Sequence, residues 1–386
     1  MLEKGTMIGL VGGGQLGMYF TQSAQQLGYQ VCCFCNRDDE PAARFADQVI
    51  CGPFDDASCI KELTAACSVV TYEFESIPAA TLGAIDQSIS LLPSLKVVQT
   101  TQNRALEKQF LRDHEIPTSP FAIVDSKESL IAGLQQLDSA AVLKTSTDGY
   151  DGKGQWKIGA NASDADIERV WQEVDGRHCT LEKLVDLAFE VSMIVAGDQH
   201  DNVYTIGPMK NRHVNHILDL SFVDESVDPA ILEQVRSLAI KVATEFALVG
   251  TFCVEFFIST DGEVLVNEIA PRPHNSGHLT IDSWSLSQFD LQALAVTGHP
   301  ISQPKMLQPA VMVNLLGDLW ADGCPEFEKI GSDLPGTEMH LHLYQKAEPR
   351  PGRKMGHVTF VGDDLAQAIR NAEQFRVAVG MSEPVH

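Results

Sequence analysis

The sequence predicts an α/β chain that continues into α+β architecture: a doubly wound parallel sheet over roughly the first hundred residues, a mixed central region, and a small β-rich C-terminal portion. Three observations predict it. Strand and helix patterns alternate up to about residue 95. A glycine turn, Gly12-Gly-Gly-Gln-Leu-Gly17, joins the first strand to the first helix. Farther on, Asp261-Gly262 separates two apolar runs, a strong short-range hairpin signal.

Met7 to Val11 is an apolar strand, and Leu16, Tyr19, Phe20, Ser23 and Leu27 follow at helical spacing. Gly12-x-Gly14-x-x-Gly17 matches the dinucleotide fingerprint, but an NAD-dependent oxidoreductase needs an acid after the second strand, where Asn36 and Arg37 stand. The turn therefore reads as a phosphate cradle or as tight helix–strand packing. In the strand Tyr29 to Cys35, period two puts Cys33 and Cys35 on one face and Cys32 on the other, so the C-x-x-C reads as buried apolar strand rather than a redox or metal pair. A helix from Ala57 to Cys67, a strand from Ser68 to Phe74, a helix from Pro78 and a strand from Ile89 to Leu92 complete the sheet. Glu73 and Glu75 share a strand face at its carboxyl end, where such sheets bind ligands, unless they simply meet solvent.

A helix from Asn103 to His114 carries Arg104, and Pro117 to Pro120 forms a linker. Strands Ala122 to Val124 and Ala141 to Lys144 flank a helix at 127–137. The following stretch contains Lys144, Gly149, Tyr150, Asp151, Gly152, Lys153, Gly154 and Gln155. Glycine backbone can wrap phosphate oxygens while the two lysines supply countercharge, although the Walker spacing is absent; the bland alternative is a hairpin tip. Thr180 to Val185 is a short strand with Glu182, Lys183 and Leu184. Phe189 to Ala196 is a buried strand interrupted by Glu190, which faces either a ribose or solvent. Asn211 to His216, with His213, reads as a polar loop, and Pro229 to Leu248 as a helix leading to the hairpin. Beyond it lie a helix from Ser285 to Val296, a strand from Ala310 to Leu316, and a Pro-Gly turn ringed by Lys346, Arg350, Arg353 and Lys354. In an acidic chain that turn reads as a phosphate site or as a solvated basic turn.

A two-residue turn at Asp261-Gly262 places Glu255 directly opposite Glu268, with Cβ atoms about 5 Å apart. Like charges at that distance need relief, from protonation of one acid, from a bridging divalent cation, or from solvent. Strict alternation turns Asn267 away from the face of Glu268, so both reach one metal only across a bulge or strand end. The tail Ala-Pro-Arg272-Pro-His274-Asn275-Ser-Gly-His then adds a cation, two imidazoles and an amide.

The 386 residues, 44% apolar and 21% charged, are ordinary for a globular chain of two or three domains. A net charge of −24 argues against nucleic acid and anionic membranes as partners, and no apolar run approaches the roughly 18 residues of a spanning helix. Nine cysteines without a framework point to reduced thiols in the cytoplasm.

Taken together, GGGQLG at 12–17, TYEFE at 71–75, GYDGKGQ at 149–155, EKLV at 182–185, NEIAPRPHNSGH at 267–278 and RPGRKMGH at 350–357 resemble the ATP-grasp ligases, and within them the N5-carboxyaminoimidazole ribonucleotide synthetases of purine biosynthesis. The resemblance implies a pre-ATP-grasp domain at 1–100, an ATP-grasp domain at 101–300 with a glycine-loop subdomain near 122–187, and a C-terminal domain at 301–386. It implies ATP, bicarbonate and aminoimidazole ribonucleotide as small-molecule substrates, Mg²⁺ (or Mn²⁺) as cofactor, and a homodimer. Glu255 and Glu268 would hold the metal, near Asn267. Arg104, Lys144, the 149–155 loop, Glu182, Glu190 and His213 would surround ATP, with Val185 in the adenine hinge after Lys183 and Leu184. Asp151, Arg272, His274 and Lys346 would serve carboxyl transfer, while Gln15, Leu16, Glu73, Asn275, Lys346 and Arg353 would contact the ribonucleotide. Formate-dependent phosphoribosyl transformylases and biotin carboxylases are the neighbouring alternatives.

Overall fold

The computed structural model describes residues 1–147, 149, 152–321, 323, 325–332 and 338–381. Four parallel strands, β1 (Met7–Val11), β2 (Gln30–Cys35), β3 (Gln48–Cys51) and β4 (Val69–Tyr72), form the first sheet in the order β3-β2-β1-β4. Both faces are covered, as parallel sheets require. Cys33 and Cys35 pack on one side with Leu10 and Phe20, and Cys32 on the other with Val70 and Tyr72, in agreement with period two. The expected strand from Ile89 to Leu92 is reduced to a single bridge between Val70 and Leu91.

A second sheet, order β5-β8-β6-β7, is built from β5 (Phe121–Val124), β6 (Ala141–Thr145), β7 (Gln155–Ile158) and β8 (Cys179–Lys183), all antiparallel. The third has eight antiparallel strands: β9 (Leu187–Gly197), β10 (Val203–Val214), β11 (Ile217–Phe222), β12 (Gly250–Ser259), β13 (Val264–Ala270), β14 (Ala310–Leu316), β15 (Glu338–Leu343) and β16 (Lys354–Val361). Their order is β13-β12-β9-β10-β11-β14-β16-β15, so the C-terminal strands extend the central sheet. Met193, Val195, Phe252 and Val254 face the helix Pro229–Glu245, while Ile194, Ala196 and Cys253 face the helix Gln288–Thr297. Burial on both faces makes these strands apolar throughout rather than alternating.

Residues 211–214 belong to β10 and are not a loop; the turn is confined to Asn215 and His216, both at positive φ (49° and 65°). Its polar residues have separate reasons: His213 lines a cleft, Asn211 bonds Ser192 and Ser221, and Arg212 pairs with Asp219. The helix predicted from Ser285 to Val296 starts at Gln288, after the N-cap Ser287, and runs to Thr297, and a separate short helix, Thr280–Ser283, precedes it. No described helix is long and apolar enough to cross a membrane.

Candidate active site

A cleft of about 1030 Å³ opens where the three sheets converge. Its wall is the β12–β13 hairpin, in which Glu255 pairs with Glu268. That pairing arises differently from the expectation. Ser259 N bonds Glu263 O and Gly262 (φ 86°) bonds back to Ser259, so the loop has one residue more than a two-residue turn. The register shift between Glu255 and Phe256 then leaves Asn267 unpaired as a bulge and restores the alignment. The same bulge lets Asn267 and Glu268 both line the cleft.

The two carboxylates take separate partners. Glu255 Oε1 lies 2.8 Å from His274 Nε2, and Glu268 Oε2 lies 2.8 Å from Arg104 Nη2. Burial alone would raise the Glu255 pKa, but His274, His213 and Arg272 outweigh it and hold the group ionised, at about 2. The oxygen set of Glu255, Glu268 and the buried, unpartnered Asn267 Oδ1 fits a hard divalent cation.

Beneath them the helix Arg104–Asp113 contributes two cations one turn apart. Arg104 and Lys108 converge with Lys144 of β6 on Glu182, at 3.5, 3.4 and 3.2 Å. Glu182 is thus a buried counterion to three cations rather than a residue lining the cleft; burial opposes its ionisation, yet the cations hold it at about 2. Lys183 and Leu184 follow it outside the cleft lining, as does Val185. Glu190 of β9 and His213 of β10 form an ion pair inside the cleft. Gly149, Gly152, Lys153, Gly154 and Gln155 close the opposite wall. A Cβ on Gly154 (φ 70°) would lie 2.6 Å from Thr145 Oγ1, which explains that glycine. Tyr150 and Asp151 lie outside the described residues.

The N-terminal glycine turn is filled from within. Glu73 accepts hydrogen bonds from Gly14 N (2.7 Å) and Gly17 N (3.2 Å) and is 8% exposed. It occupies the place where a dinucleotide phosphate would sit, removing the basis of the oxidoreductase reading. Glu73 and Glu75 both line the cleft, but β4 ends at Tyr72 and the two take different partners. Glu75 instead pairs with Arg272. Gln15, Leu16 and Glu73 line the cleft, as do Lys346 and Arg353 at its far end. Lys346 donates to Lys354 O, and burial, with Arg353 and Lys354 nearby, lowers its pKa to about 8. Asn275 lines this cleft, and both polar atoms of its side chain are buried with no hydrogen-bond partner among the described residues.

Sequence reasoning passed over the residues that orient His274. Gln288 clamps its backbone, accepting from His274 N (2.8 Å) and donating to His274 O (2.7 Å). A buried hydroxyl–amide chain runs from His274 Nδ1 through Ser276, Ser192 and Asn211 to Ser221. The Ser-Gly pair after Asn275 was a usable signal, since a Cβ on Gly277 would meet Gln288 Oε1 at 2.2 Å.

Three domain families match in succession: the ribonucleotide synthetase preATP-grasp domain over residues 5–102, the ATP-grasp domain over 109–289 and the phosphoribosylaminoimidazole carboxylase C-terminal domain over 310–371. This is the domain series of an ATP-grasp ligase. The N5-carboxyaminoimidazole ribonucleotide synthase of Bacillus subtilis is 38% identical over 376 residues, 96% of each chain, and that of Staphylococcus epidermidis is 36% identical over 371 residues, 95% of each. Among solved structures, an ADP complex of an N5-carboxyaminoimidazole ribonucleotide synthetase superposes with a TM-score of 0.91 at 34% identity, covering 99% of both chains. The Aspergillus clavatus enzyme with ADP and 5-aminoimidazole ribonucleotide gives 0.87 at 28%, covering 97% of this chain and 99% of the other. The chain belongs to the N5-carboxyaminoimidazole ribonucleotide synthase family.

Proposed function

We propose that this chain carboxylates aminoimidazole ribonucleotide at the expense of ATP and bicarbonate, as a homodimer. The observation that carries this reading is that one cleft is lined at once by the facing pair Glu255 and Glu268, by the glycine loop and by the basic residues Lys346 and Arg353. Such a cleft has room for two phosphorylated molecules with a reaction centre between them.

In this reading Arg104, Lys144, Glu190, His213 and the 149–155 loop hold ATP. Glu255, Glu268 and Asn267 hold Mg²⁺, which when bound neutralises charge on the transferring phosphoryl group. A bicarbonate oxygen attacks the γ-phosphorus, the bond to the β-bridging oxygen breaks, and ADP leaves. The ribonucleotide amine then attacks the carboxyphosphate carbon, expelling inorganic phosphate. Arg272 neutralises the carboxyphosphate, His274 lies beside it, and Asp151 takes the amine proton. Lys346 and Arg353 clamp the 5′-phosphate, while Gln15, Leu16, Glu73 and Asn275 border the ribonucleotide.

The test is ADP release with and without the ribonucleotide in the presence of bicarbonate and Mg²⁺. Stimulation by the ribonucleotide is expected, and its absence rejects the reading. Activity with formate in place of bicarbonate would move the chain to the transformylases. Light scattering reads the assembly.

A further inference from the structure

A second constellation of metal-ligating groups lies outside the cleft lining, where the C-terminal strands meet the ATP-grasp segment. His342 of β15 and His357 of β16 are directly paired across the ladder, and their imidazoles stack at 4.4 Å with 12° between planes, so both rings meet one ion only when one of them turns out of the stack. Asp282, on the short helix Thr280–Ser283, closes the third side, its Oδ2 lying 2.9 Å from His342 Nε2. One ligand atom from each of these three residues lies within 4.8 Å of the other two.

The unpaired atom in the group points to a ligand. His357 is fully buried; its Nδ1 lies 2.8 Å from the Tyr344 hydroxyl, whereas Nε2 has no hydrogen-bond partner among the described residues. A buried ring nitrogen left unsatisfied loses its hydration without a replacement, which is unfavourable. With Nδ1–H donating to Tyr344, the Nε2 lone pair is free, the arrangement by which an outer hydrogen bond sets a metal-ligating tautomer. The Oδ1 of Asp282 lies 3.6 Å from His340 Nδ1, so a further imidazole stands beside the same carboxylate. Two imidazoles and a carboxylate, with a fourth position left for water or His340, are the donor set of a zinc-class ion rather than of Mg²⁺.

We infer that Asp282, His342 and His357 form a binding site for a zinc-class transition metal that ties strands β15 and β16 to the segment following the cleft hairpin. The ion would act on the seating of the C-terminal strands, a role separate from phosphoryl transfer.

The test uses the full chain without a histidine tag, stripped with chelator and titrated with Zn²⁺ alone in excess Mg²⁺. Metal content and thermal unfolding are the readouts. Parallel titrations use Asp282→Asn, His342→Gln and the double variant Glu255→Gln/Glu268→Gln. The expected result is one zinc per chain and a raised Tm in the parent and in the double variant. Affinity should fall by about tenfold or more in Asp282→Asn and His342→Gln. Co²⁺ should give ligand-field absorption in the parent that His342→Gln abolishes. Should His342→Gln fail to fold, Asp282→Asn, which keeps the size of the side chain, decides the matter. The inference is overturned if zinc does not bind stoichiometrically, if it binds equally well to the Asp282 and His342 variants, or if binding disappears only with Glu255 and Glu268.

Discussion

Arg272 is paired with Glu75, a residue 197 positions away, through its Nε. Burial would raise the Glu75 pKa, but Arg272 holds it down at about 2, so this carboxylate is ionised at working pH. The pair aims the guanidinium while its Nη1 bonds Pro273 O at 2.8 Å. Glu75→Gln should lower kcat by about tenfold through loss of that aim, with the KM for ATP unchanged. Steady-state kinetics check it, and an unaltered kcat would mean that Arg272 is oriented by other contacts.

Glu182 should contribute to acid stability, as should Glu75 and Glu255, which are held equally low. The folded Glu182 pKa of about 2 lies below an ordinary glutamate value of about 4.3, so its contribution is fully present above that value and is lost as pH falls toward 2. Glu182→Gln leaves Lys108, Lys144 and Arg104 without their shared counterion and should destabilise the chain by about 3 kcal/mol at neutral pH. Denaturant unfolding at pH 7 and pH 3 should show the difference between variant and parent shrinking at the lower pH.

Glu255→Gln and Glu268→Gln should each cut turnover by about a hundredfold or more by removing a metal ligand. Their stabilities should separate. The Glu268 side chain is 40% exposed, so losing its pair with Arg104 costs at most about 1 kcal/mol. Glu255 and His274 are each 14% exposed, and breaking that pair costs more. Mn²⁺ titration and thermal melts measure both effects.

Lys346→Ala should raise the KM for the ribonucleotide by about tenfold and leave that for ATP alone. Since the Lys346 pKa is lowered to about 8, its charge is lost as pH rises through that value, and the same KM should climb above pH 8 in the parent but not in the variant. A pH profile of KM for each substrate decides this.

Gly14→Ala tests the internal carboxylate. Gly14 has an ordinary φ of −76°, so the only obstacle is a Cβ placed 2.7 Å from Glu73 Oε1. The substitution should cost about 2 kcal/mol, and much less in a Glu73→Ala background. Additive costs in this double-mutant cycle would mean that Glu73 does not fill the turn.

Local pattern alone determined the parallel first sheet, the two faces of the cysteine strand and the hairpin with its facing acids, because period two and turn chemistry act over a few residues. The facing of Glu255 and Glu268 was legible even though two assumptions behind it failed: the longer loop displaced the register by one position and the bulge at Asn267 displaced it back. Composition and motif also marked the described part of the glycine loop and Lys346, Arg353 and Lys354 of the basic turn as cleft residues, whereas Arg350 stands outside the lining. Tertiary structure decided the rest. That Glu73 fills the glycine turn, that Arg104 answers Glu268 across 164 positions and Arg272 answers Glu75 across 197, and that the polar run 211–214 is a strand all depend on which elements meet around the cleft. A charged side chain selects its partner by distance and desolvation after the sheets have packed, and neither quantity is encoded in residue spacing along the chain.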